Sequence, residues 1–178
     1  MGDVTSTDEW LKSQTVNFRR ASISDLPAIV SIYNEAIETG GFTADLDPYT
    51  VAERQAWYEK ANVDSYGIWV LEYSAEVIGY FYFSPWRSGR RALRHTAELS
   101  FYLQEKSRGK GFGFLIVEQA IVQASHQEFK KLLAILLAKN IASKNLLSKC
   151  GFEDIGFLPA VAEIDGKQAS QLIMLKSV

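Results

Sequence analysis

The sequence predicts an α+β fold in which a mixed sheet carries helices on both faces. Two observations lead there. Short β-branched and aromatic runs crowd the middle of the chain, bounded by turn residues, and later apolar runs alternate with segments of helical spacing. The element order that follows is βααβββαβαββ, antiparallel at its centre with a βα portion behind it.

Val16 to Arg20 opens as a strand. Leu26, Ile29, Val30, Tyr33 and Ile37 then recur at helical spacing, with Ser22 three before Asp25 as a capping signal and Pro27 in the first turn. Gly40-Gly41 ends that helix. After a loop reaching Pro48, residues 51–62 predict a second helix with Trp57 and Tyr58. Residues 68–73 and 77–83 form a hairpin around Ser74-Ala75-Glu76. An arginine-rich loop over 84–93 leads into a central strand over 94–103. A glycine-rich segment opens an amphipathic helix over 114–125, and 131–137 is a buried strand. A short helix over 142–150 has Gly151 at its C′ position, and 152–157 and 168–175 close the sheet around Asp165-Gly166. With no repeat, low-complexity tract or linker, residues 16–178 are expected to form one domain behind a polar extension, 1–15, helical near 8–13.

Composition narrows the function. Apolar residues make up 47% and charged residues 22% of 178, ordinary for a globular chain. A net charge of −2 argues against a nucleic-acid binder, which would be strongly basic. No stretch is long and apolar enough to span a bilayer, and 1–15 lacks a basic start and an apolar run, so no secretory leader is expected. The one cysteine, Cys150, rules out an internal disulfide framework and suits a reducing cytoplasm. Among Leu146, Leu147 and Phe152, with no base beside it, that thiol reads as buried and structural. His95 and His126 have no partner at metal-ligand spacing, so no metal is expected.

Arg108-Gly109-Lys110-Gly111-Phe112-Gly113 is the most informative stretch. It follows a strand and opens a helix, where unpaired amides and the helix dipole attract phosphate oxygens. Gly-x-x-x-x-Gly-Lys-Ser/Thr is absent, which excludes a P-loop. The spacing Gly-x-Gly-x-Gly, more than halfway along the chain, also fails the dinucleotide fingerprint. A tight turn without ligand would need one glycine; three alternating with basic residues favour a phosphate.

The stretch resembles the Arg/Gln-x-x-Gly-x-Gly/Ala pyrophosphate loop of the GCN5-related N-acetyltransferase (GNAT) superfamily, at Arg108, Gly111 and Gly113. Asn140, Ser143, Leu146, Lys149, Gly151 and Phe152 are similar to its Asn-x-x-Ser-x-x-Leu-Tyr-x-Lys-x-Gly-Phe segment. Trp86-Arg87 and the run from Arg94 to Tyr102 resemble the branch that acetylates phosphinothricin, methionine sulfoximine and related amino acids. The likeness covers about residues 16–175.

It implies a GNAT-like, mostly antiparallel central sheet and acetyl-CoA as co-substrate. The pyrophosphate would lie on the amides of Arg108, Gly109, Lys110, Gly111, Phe112 and Gly113. The pantetheine arm would run beside Phe101, Tyr102 and Leu103, where relatives splay this strand from the next. Asn140 would face pantetheine and Lys149 the nucleotide phosphates. The Thr-Ala-Glu position makes Glu98 the general base, drawing the amine proton through water. Alternation along the strand puts Leu99, Phe101 and Leu103 on one face and Glu98, Ser100 and Tyr102 on the other, unless a bulge intervenes. A carboxylate in so apolar a strand is costly unless used or paired, Arg94 being the candidate partner.

Arg87, Arg90, Arg91 and Arg94 crowd the preceding loop. Guanidinium forks match carboxylates, so the cluster favours anion binding, though each arginine alone reads equally as solvated or as a dimer contact. By resemblance, Trp86 and Arg87 wall the acceptor pocket, and Asn34, Glu35, Thr39, Phe42 and Thr43 shape it; Phe42 either packs on substrate or belongs to the core. Leu147 departs from the superfamily tyrosine and cannot give a proton to the leaving thiolate, which leaves water, Tyr102 or positioning alone. The function expected is direct acetyl transfer to the amine of a small amino acid or analogue, in a cytoplasmic homodimer. The alternatives are a non-catalytic acyl-CoA-binding domain, or a different amine acceptor such as a polyamine, an aminoglycoside or a protein N-terminus; the arginines oppose the polycationic ones.

Overall fold

The computed structural model describes residues 16–62 and 66–178, so the expectation for residues 1–15 lies outside the described residues. The elements follow the anticipated order: β1 (Val16–Arg20), α1 (Leu26–Thr39), α2 (Val51–Ala61), β2 (Ile68–Tyr73), β3 (Glu76–Pro85), β4 (Thr96–Leu103), α3 (Phe112–His126), β5 (Lys131–Leu137), α4 (Ile141–Lys149), β6 (Glu153–Ile164) and β7 (Lys167–Ser177). The strands make one sheet in the order β1-β2-β3-β4-β5-β7-β6. Its neighbours are antiparallel except β4 and β5, which run parallel.

Alternation along the strands sends side chains to two cores. On one face Ile68, Val70 and Tyr80 pack against Leu26, Ile29 and Ile32 of α1 and Tyr58 of α2. On the other, Phe81, Phe83, Ala97 and Leu99 meet Phe112, Ile116, Val117 and Ala120 of α3 and Leu147 of α4.

Capping fixes both helices on the first face. Ser22 and Asp25 form the anticipated capping box, though on a 3-10 turn just ahead of α1. Asp25 also accepts two bonds from Arg19, at 2.7 and 2.8 Å, which hold its carboxyl down at about 2. α2 starts on a second box, Thr50 with Glu53, and the Asn34 amide clamps the Tyr49 backbone at 2.8 and 2.9 Å. That clamp ties the start of α2 to α1.

Several boundaries differ from the sequence reading, each for a local reason. The hairpin loop is only Ser74-Ala75, both left-handed, because Glu76 already pairs with Tyr73. β4 begins at Thr96 because Arg91–Leu93 coil into a 3-10 turn. β6 runs on past 157 to Ile164, since the register shift against β7 between Leu158 and Ala162 absorbs Pro159. No helix among the described residues is long and apolar enough to cross a membrane.

Candidate active site

β4 treats its two neighbours unequally. It pairs with β3 in unbroken register from Ala97 to Leu103, but with β5 only at Thr96, Ala97 and Glu98. Beyond Glu98 the parallel pair parts, so the anticipated splay is present and the possible bulge is absent from the β3 side. The Gln104 amide bonds to Ile78 in β3, and alternation turns the N–H and C=O of Phe101 and Leu103 toward the gap. The Leu103 carbonyl is held there by Arg108 Nε at 3.2 Å.

The glycine loop lies at the head of this gap. Gly109 and Gly111 have φ of 73° and 89°, a conformation that costs other residues a Cβ clash. Gly113 serves a different need, since a Cβ there would stand 3.0 Å from Leu146 Cδ2. The amides of Gly109, Lys110 and Gly111 have no backbone partner among the described residues, and Gly111 caps α3 without any side-chain bond. Unpaired amides at a helix start beside a strand edge with bonding groups to spare fit a diphosphate joined to an extended, amide-bearing arm. Phe112, by contrast, points into the core.

Glu98 sits where the strands part, opposite Ser84 of β3. It is half-buried, and burial alone pushes its carboxyl above the usual glutamate range. Among the described residues no arginine or lysine pairs with it; Arg94 turns instead to the Arg91 carbonyl at 3.3 Å. A desolvated, unpaired carboxylate can take a proton from an amine brought into the gap.

Around Glu98 the α1–α2 face contributes a polar aromatic cluster that sequence reasoning missed. Tyr33 bonds to Asp45 at 2.6 Å and Thr43 at 2.9 Å, and Tyr49 reaches the same carboxylate at 3.2 Å. Tyr102 packs edge-on to Tyr33, with centroids 4.9 Å apart, and Trp57 edge-on to Tyr82 at 5.2 Å. Arg54 lies among these rings. Burial raises the Tyr82 phenol, a hydrogen bond with Ser100 works against it, and Arg54, Glu98 and Asp45 have smaller effects.

The remaining predicted residues divide. Phe42 stands under the Arg108 guanidinium, 4.3 Å from its centroid, and so belongs to the cofactor loop as much as to any acceptor wall. With Gly41, Lys139 and Asn140 it lines a cavity of about 420 Å³. Asn140 caps α4, its side chain accepting from the Ser143 amide at 3.0 Å. Lys149 is exposed one turn past Leu146. Arg87, Arg90, Arg91 and Arg94 are exposed on the β3–β4 loop without acidic partners among the described residues, and Trp86 anchors that loop through its amide to Thr96. Asn34 and Glu35 are spent on scaffolding, the latter accepting from the Glu105 amide at 2.8 Å. Leu147 is 1% exposed in the core, and Cys150 is buried beside it, its thiol pushed up to about 11 chiefly by burial. His95 bonds the Glu128 carbonyl and His126 is exposed.

Comparison with known proteins agrees with this geometry. The Acetyltransferase (GNAT) domain family matches residues 15–153. The chain is similar to an L-methionine sulfoximine/L-methionine sulfone acetyltransferase of Pseudomonas aeruginosa, 33% identical over 154 residues, 86% of this chain and 89% of the relative. Among solved structures it is similar to a ribosomal-protein-alanine N-acetyltransferase from Brucella melitensis, with 32% identity, a TM-score of 0.86 and 91% and 99% of the two chains covered. A GNAT superfamily phosphinothricin acetyltransferase from Sinorhizobium meliloti, in complex with acetyl-CoA, gives 28% identity and a TM-score of 0.86 over 92% and 89%. The match over most of the chain shows that this protein belongs to the GNAT family and is an N-acetyltransferase that uses acetyl-CoA.

Proposed function

We propose that this enzyme acetylates the α-amine of a small amino acid or analogue, of the phosphinothricin, methionine sulfoximine or methionine sulfone type, by direct attack without an acyl-enzyme. The observation that carries the reading is the position of Glu98: a lone, desolvated carboxylate at the residue where β4 and β5 separate. The curated relative named for methionine sulfoximine and methionine sulfone supports the acceptor class.

Acetyl-CoA supplies a thioester carbon open to attack by a free amine. The amides of Arg108, Gly109, Lys110, Gly111, Phe112 and Gly113 hold its diphosphate, and Phe101, Tyr102 and Leu103 line its arm. Asn140 attends the arm and Lys149 the nucleotide phosphates. Glu98 accepts the amine proton, directly or through water. Leu147 offers none to the leaving sulfur, so that proton comes from water or from Tyr102, whose phenol burial keeps protonated. Phe42, Trp86 and Arg87 wall the acceptor side, while Arg90, Arg91 and Arg94 draw an anionic substrate toward it.

A cytoplasmic homodimer completes the reading. Outermost strand β6 exposes Ile155, Phe157 and Val161 by 52%, 58% and 52%, an apolar edge suited to a second copy. The similarity to a ribosomal-protein-alanine N-acetyltransferase favours one rival, a peptide N-terminus as acceptor. Thiol release with amino acids, their sulfone and sulfoximine analogues and alanine-starting peptides decides between them. Turnover confined to the free amino acids is expected; turnover confined to peptides would reverse the assignment.

A further inference from the structure

One cation of the acceptor pocket has no anion. Arg54, in the first turn of α2, places its guanidinium 4.8 Å from the Tyr33 ring centroid, 4.9 Å from Tyr49 and 4.0 Å from Trp57. Among the described residues no carboxylate or carbonyl accepts from its N–H groups. Rings stacked on a guanidinium satisfy its charge through the face and leave the in-plane donor fork free. Asp45, the nearby acid, has its oxygen Oδ2 taken by two phenols.

The surroundings place this fork over the sheet face that carries Glu98. Trp57, under Arg54, packs on Tyr82, which pairs across the ladder with Ser100, two residues from Glu98. Tyr80, stacked between Tyr82 and Tyr102, carries a fully buried hydroxyl with no partner among the described residues. One sheet face thus carries a half-buried carboxylate and, on the helix packed against it, a guanidinium with no anion among the described residues. An α-amino acid is the complementary pattern, its amine toward Glu98 and its carboxylate toward the fork. The loop arginines are all exposed, where screening weakens their grip.

We infer that Arg54 is the specificity-determining residue for the acceptor, gripping the carboxylate of an amino acid whose amine meets Glu98. This rests on the amino-acid reading given above. An Arg54 that only clamped the rings between α1 and α2 would affect every acceptor alike, so substrate chemistry separates the two roles. Thiol release at saturating acetyl-CoA is measured for wild type, Arg54→Met and Arg54→Lys with methionine sulfone and with its decarboxylated amine, 3-(methylsulfonyl)propan-1-amine. Arg54→Met is expected to lower kcat/KM for methionine sulfone by roughly 100-fold or more, while changing that for the decarboxylated amine by less than threefold or so. Arg54→Lys, which keeps the charge and loses the fork, is expected to show the same split at roughly tenfold. Acetyl-CoA affinity, measured by calorimetry, should be unchanged in both; if Arg54→Met does not fold, the Arg54→Lys split decides. Equal losses on the two acceptors, or no loss, would overturn the role of Arg54 and leave the amino-acid reading intact. A wild type that acetylates the amine but refuses methionine sulfone and every free L-amino acid would overturn both.

Discussion

The proposed cofactor side and the proposed acceptor side of this enzyme meet at Glu98 but are built from different material. The cofactor side is mostly backbone: the amides of Gly109, Lys110 and Gly111, and the strand edge at Phe101 and Leu103. The acceptor side is mostly side chain, assembled from α1, the 40–50 loop, α2, β3 and β4 around Tyr33, Asp45, Arg54, Tyr82 and Glu98. Backbone recognition depends on conformation, which a short stretch of sequence fixes. Side-chain recognition depends on which distant segments converge. The two halves should therefore fail differently when altered.

The largest effect is expected on the acceptor side. Glu98→Gln keeps the shape and removes the base, and should lower kcat by roughly 100- to 10,000-fold with acetyl-CoA affinity unchanged. In wild type the raised carboxyl must be ionised to act, so kcat/KM should rise with pH along a limb lying above the ordinary glutamate value of about 4.3. The limb should vanish in Glu98→Gln; a variant that keeps both rate and limb would remove Glu98 from the chemistry.

On the cofactor side, altering backbone should matter more than altering charge. Gly111→Ala forces a Cβ onto a residue at φ 89° and should weaken acetyl-CoA binding by roughly tenfold. Lys110→Ala leaves every amide in place and should cost only about threefold, as expected for an exposed charge. The reverse ranking would make the loop a charge site rather than an amide cradle.

Away from both halves, Asp25→Asn tests stability alone. The Arg19 bonds lower that carboxyl from 3.8 to about 2, so the group stabilises the fold above its unfolded value and loses that contribution as pH falls through about 2. At pH 7 the substitution should cost on the order of 2 kcal/mol, a Tm lower by about 4–8 °C, with kcat nearly unchanged. The gap in Tm between the two proteins should close as pH drops toward 2; a gap independent of pH would assign the effect to packing.

The same division explains what the sequence disclosed. The glycine spacing, the strand before it and the capping pair Ser22 and Asp25 are local patterns, and they led to the element order, with a glycine turn between β4 and α3. Glu98 stands out in the sequence because a carboxylate interrupts an apolar strand at the position that resembles the family's Thr-Ala-Glu. Arg54 does not, since on α2 it looks like any solvated helix arginine and only Tyr33, Tyr49 and Trp57 give it a purpose. Its one available signal was the Thr50–Glu53 capping box, which sets the helix start. Nothing in the chain foretells the stacking of Phe42 under Arg108, a contact between distant segments. The long β6–β7 ribbon was hidden by Pro159, which a bulge accommodates and a periodicity cannot foresee.

Amide hydrogen exchange with and without acetyl-CoA tests the central claim most directly, because the claim concerns named backbone groups. Binding should protect the amides of Phe101, Leu103, Gly109, Lys110 and Gly111, and leave those of β1 unchanged. Saturating acetyl-CoA that protects none of these amides, or protects a different edge of the sheet, would contradict the account.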